Sequence, residues 1–152
     1  MVELNKKLIK LSERIADRLG IDPITIKYEE LLEDDSRLYI SDDPYIGINI
    51  KYVNDYEECA KCVAHEMRHI FQIFYAQLFN DERARRWKNE LSHTINSSNL
   101  DDGNYASQEL ELDAFAFNKF YLEAFEGIKV INKIPGYEEI LGKYFKKNMG
   151  FM

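Results

Sequence analysis

The stretch from Asn54 to Phe79 constrains this chain more than any other. Asn54 and Asp55 are both good helix N-caps, and the residues after them keep helical spacing to about Phe79. Cys59, Cys62, Val63, Met67, Ile70, Phe71, Ile73, Phe74 and Leu78 spread round much of that helix. A helix with so much apolar surface is buried on most sides. Yet it also carries His65-Glu66-Met67-Arg68-His69, an HExxH pentapeptide. A His pair with a Glu among apolar flanks needs a reason, because buried polar groups are costly without partners.

Helical geometry supplies one. Residues i and i+4 lie ~40° apart round a helix and ~6 Å apart along it, so both imidazoles reach one metal ion. Glu66 lies ~100° round from His65, beside the metal rather than on it. From there it can take a proton from the water that the metal activates. Zinc suits the site, since it accepts imidazole nitrogen and leaves a water position open in catalytic centres. The bland alternative is two His that fall four apart by chance.

A catalytic zinc wants a third protein ligand. The extended pattern HExxHxxGxxH is absent, because Gln72 and Tyr75 stand where its Gly and last His would be. His93 lies outside that spacing. The run Gln108–Phe117 offers three carboxylates on a later helix: Glu109, Glu111 and Asp113. At ~100° per residue Glu111 and Asn118 fall together and define the expected solvent side. Glu109 and Asp113 fall opposite, with Ala116 and Phe120. Glu109 is therefore expected as third ligand. Asp113, one turn on, is expected to accept a hydrogen bond from the far nitrogen of a metal-bound His. The alternative is acidic residues favoured by the helix dipole.

The other elements follow from pattern. Glu3–Leu19 reads as an amphipathic helix stopped at Gly20. Ile24–Tyr28, Arg37–Ser41 and Tyr45–Val53 read as strands of a small antiparallel sheet, with Asp42-Asp43-Pro44 as a turn. Asp81 caps a charged helix to about Leu91, and Ser92–Asn104 reads as loop. Helices from about Tyr105 to Phe125 and from Tyr137 to Asn148 complete an α+β chain. Its 152 residues suit one domain over 1–152. The net charge of −7 argues against nucleic acid and anionic membranes as partners. The N-terminal segment is charged throughout, so a soluble, cytoplasmic protein is expected. Cys59 and Cys62 form a CxxC that is best read as small core residues. Arg83–Lys88 reads as a solvated helix face with Trp87 turned inward.

HExxH followed by ExxxD on a second helix resembles the gluzincin metallopeptidases, and the run ELELDAFAF looks like the second motif helix of their compact intracellular forms. The element order over about residues 20–125 is similar to the minimal form, the minigluzincins, and to ImmA/IrrE-like peptidases. The resemblance implies a zincin-like fold with the sheet packed on the active-site helix, and one zinc ion. It implies His65, His69 and Glu109 as ligands, Glu66 as base and Asp113 behind them. A peptide or protein would be the substrate, and a further protein partner is left open. In that family the sheet's edge strand lies over the zinc and pairs with extended peptide. That role would fall to Gly47, Ile48 and Asn49, Gly47 allowing close backbone approach. Tyr105 and His93 are candidates to stabilise an oxyanion. The alternative function is a catalytically inactive zinc-containing binding or regulatory module.

Overall fold

The computed structural model describes residues 4–96, 109–131 and 136–148, without the side chains of 93–96 and 148. Helix α1 runs Lys6–Leu19. The Asn5 side chain caps it by accepting from the Lys7 amide at 2.8 Å. Gly20 ends it with φ of 70°, a left-handed value that costs glycine nothing. Leu8, Leu11, Ile15, Ala16 and Leu19 form its buried face, packed on the central helix.

Three short strands follow: β1 at Thr25–Glu29, β2 at Ser36–Tyr39 and β3 at Tyr45–Asn49. The α+β class expected from the pattern is borne out, but the sheet is mixed rather than antiparallel. Its order is β1-β3-β2, with β3 parallel to β1 and antiparallel to β2. The chain reverses into β2 and again into β3, so β3 regains the direction of β1 and inserts beside it. Alternation of apolar residues reports which face a side chain takes, and it is silent on strand order. Ile26, Ile46 and Ile48 face the core. The opposite face is finished by Lys27 over the Tyr45 ring and by Tyr39 stacked on Tyr45.

A 3-10 turn at Ile50–Tyr52 leads to Asp55, whose side chain accepts from the Glu58 amide and caps α2, Tyr56–Leu78. Helix α3 spans Glu82–Asn96, with Asp81 accepting from the Ala84 amide. It runs past Leu91, where the expected loop was to begin. Ser92 does not break it, because its hydroxyl donates back to the Asn89 carbonyl at 2.8 Å. Helix α4, Glu109–Phe125, packs along α2, and α5, Tyr137–Asn148, packs on α4. Trp87 of α3 is fully buried against Ala76 and Leu110, as its pattern foretold.

A buried ion pair between Arg68 and Asp113 ties α2 to α4. Arg68 Nε and Nη2 donate to the two Asp113 carboxylate oxygens at 2.6 and 3.1 Å, with both side chains out of solvent. The guanidinium also lies over the Phe71 and Phe117 rings at 4.4 and 5.1 Å. Removing one partner of such a pair strands the other charge. Asp113→Ala is therefore expected to cost about 3–5 kcal/mol of unfolding free energy in urea titrations. The double variant Arg68→Met/Asp113→Leu should recover much of that loss. A loss under ~1 kcal/mol for Asp113→Ala would contradict the role given to the pair.

Candidate metal centre

Because α2 is regular through its HExxH segment, His65 and His69 stand one turn apart on one face. Their Nε2 atoms are 3.2 Å from each other. The carboxylate that completes the group belongs to Glu111 of α4. One of its oxygens is 3.1 Å from His65 Nε2 and the other is 3.0 Å from His69 Nε2. The three side chains are 14%, 18% and 7% exposed, so the cluster is largely desolvated yet reachable from outside.

The donor set fits a metal ion. Tetrahedral nitrogen and oxygen ligands at ~2.1 Å from zinc would stand ~3.4 Å from each other, close to these separations. Electrostatics point the same way, since two imidazoles and a carboxylate converge where only a cation or a proton can reconcile them. Burial opposes a charge on His69, but its hydrogen bond to Glu111 and the nearby Glu111 and Glu66 charges outweigh it, raising its pKa to about 9. Burial likewise opposes the Glu111 charge, and the two His reverse that, holding the carboxyl far below its usual range. Phe115, one turn after Glu111, packs its ring 4.5 Å from that of His65 and walls one side.

Glu66 is buried, and its Oε2 finds no hydrogen-bond partner among the described residues. Desolvation pushes its pKa up, with His65 and His69 pulling the other way. A carboxylate tuned upward in this manner suits a base that must take and later return a proton.

Glu109 does not join the cluster. Its carboxylate receives both Nε and Nη2 of Arg86 from α3, at 3.1 and 3.0 Å. The helix reading went astray because α4 is apolar on most sides, so Glu111 and Asn118 marked no solvent face. Both are buried; Asn118 donates to the Lys61 carbonyl at 3.1 Å. Glu111 and Asp113 lie ~160° apart round α4, on the two flanks of the stripe Leu110, Ala114, Phe117 and Tyr121. Asp113 touches neither imidazole. The far nitrogen of His69, Nδ1, meets Gln72 Oε1 at 2.8 Å instead, and Gln72 Nε2 donates to Asp113 at 2.8 Å. Sequence reasoning passed over Gln72. Its spacing of three from His69, on a buried helix, was the signal available.

The expected peptide-binding strand is also corrected. β3 is hydrogen-bonded on both sides, so Gly47, Ile48 and Asn49 offer no free edge. The space over Gly47 holds Glu29 and Tyr39, whose atoms would lie 3.0 Å from an added Cβ. Ile48 is core, and the Asn49 amide donates to the carbonyls of Leu32 and Asp34. His93 lies within α3, not past it, and its side chain is outside the described atoms. Tyr105 lies outside the described residues. Cys59 and Cys62 are unbridged and packed in the core.

Glu111→Ala is expected to weaken zinc binding more than ~100-fold in chelator competition, beyond the usual cost of losing an outer partner. Glu109→Ala should leave affinity within ~3-fold, since it breaks only a contact with Arg86. The reverse ranking would restore Glu109 as ligand.

Among the described residues no helix is long and apolar enough to cross a membrane. No protein-family model, curated protein or solved structure matches this chain.

Proposed function

We propose that this chain is a zinc-dependent peptidase with one metal ion held by His65, His69 and Glu111. The observation that carries the reading is the convergence of those three ligand atoms, all within 4.8 Å of one another, with the buried Glu66 carboxylate next in sequence and near enough to both His to feel their charge. Two imidazoles and one carboxylate are a zinc donor set that leaves a fourth position open. The likeness to gluzincins then rests on HExxH with Glu111, two residues later than the motif reading placed the third ligand.

Zinc held there would supply Lewis acidity toward a carbonyl oxygen and toward water. The rest falls to the chain. Glu66, one residue from His65, accepts the proton of the attacking water and returns it to the departing amine. Partial burial of the cluster limits bulk water and strengthens each charge interaction. An extended peptide would find the sheet edge at β2, which pairs only with β3 among the described residues and lies against α2.

Metal content and hydrolysis of a peptide library test this together. Wild type should hold one zinc and cleave. Glu66→Gln should keep the zinc and lose ~10²–10⁴-fold in rate, the usual worth of a general base. His69→Ala should lose both. Zinc retained by wild type without Glu66-dependent cleavage would replace the peptidase reading with a non-catalytic zinc module. A wild type that never retains zinc would overturn both.

A further inference from the structure

We propose that Gln72 is a positioning residue of this metal centre: its side-chain amide selects the His69 tautomer that leaves Nε2 free to bind metal. The inference rests on the metal-site reading above and concerns how this chain prepares that site.

The Gln72 side chain is fully buried. Its nitrogen has two neighbours, the Leu110 carbonyl at 2.9 Å and an Asp113 carboxylate oxygen at 2.8 Å. Both can only accept. Turning the amide over would set its oxygen against two acceptors, so the network settles which atom is nitrogen. Oε1 is therefore the atom 2.8 Å from His69 Nδ1, and an amide oxygen needs a proton from its partner. A neutral imidazole has one N–H. When the ring gives up its Nε2 proton to bind metal, the proton left is the one on Nδ1, and the lone pair is on Nε2, the nitrogen that meets His65 and Glu111.

Asp113 is held in turn. It receives Arg68 through two nitrogens and the Tyr144 hydroxyl of α5 at 3.0 Å. Orientation thus passes from α5 and Arg68 through Asp113 and Gln72 to the ring. Charge does not pass with it, because the Arg68 guanidinium answers the Asp113 carboxylate and the amide is neutral. A carboxylate placed directly on the ring would raise ligand basicity as well as fix the tautomer. Here the two effects are separated, and Gln72 provides the second alone.

The test compares Gln72→Met with Gln72→Glu. The thioether has about the same length and does not take a strong hydrogen bond from Nδ1–H. The introduced carboxylate accepts from Nδ1–H and can share a proton with Asp113. Zinc affinity is read by chelator competition, and cobalt(II) absorption reports the coordination geometry. Urea unfolding of the metal-free proteins confirms that each variant is folded. Gln72→Met is expected to bind zinc ~10–100-fold more weakly, with a changed cobalt spectrum. Gln72→Glu is expected to stay within ~10-fold of wild type, with the wild-type spectrum. Equal weakening in both variants, or wild-type affinity in Gln72→Met, would overturn the inference while leaving the metal site standing. Failure of the wild type to bind zinc would instead overturn the reading on which it rests.

Discussion

Carrying a charged side chain into a protein interior is costly unless another group answers it. Helix α2 takes Glu66, Arg68 and Gln72 inside, next to two largely buried histidines. The answers come almost wholly from α4. Asp113 meets Arg68 and Gln72, and Glu111 meets His65 and His69. These two carboxylates flank the apolar stripe by which α4 packs on α2. Packing and electrostatics therefore set the same helix register, since rotating α4 would break both ionic groups along with the core contact. Helix α5 is drawn into the arrangement through Tyr144 on Asp113.

Within that scheme the two halves of the interface do different things. In the Arg68–Asp113 half, two guanidinium nitrogens meet the carboxylate at hydrogen-bonding distance and Phe71, Trp87 and Phe117 pack round the guanidinium, while Arg68 Nη1 has no hydrogen-bond partner among the described residues. The His65–His69–Glu111 half brings three atoms that could hold a metal ion together and keeps some access to solvent. Glu66 stands at the second half with a buried oxygen unanswered among the described residues.

Much of this was legible in the residues. Caps at Asp55 and Asp81 and the stop at Gly20 announced helix ends, because capping is local chemistry. The HExxH pair was legible because i, i+4 spacing translates directly into a shared face. The third carboxylate was not. Choosing among Glu109, Glu111 and Asp113 needed the rotation of α4, and a helix apolar nearly all round carries little record of its orientation. Arg86 and Arg68, each distant in sequence, decided which acid went where. The role of β3 was hidden for a similar reason: alternation shows inside and outside, while neighbour order depends on how the chain doubles back.

The proposed centre holds one metal ion among His65, His69 and Glu111. Anomalous scattering at the zinc edge, from crystals of the zinc-loaded protein, tests it most directly. A single strong peak ~2.0–2.2 Å from both imidazole Nε2 atoms and a Glu111 oxygen is expected. A peak bound instead by Glu109, or no peak on α2, would contradict it.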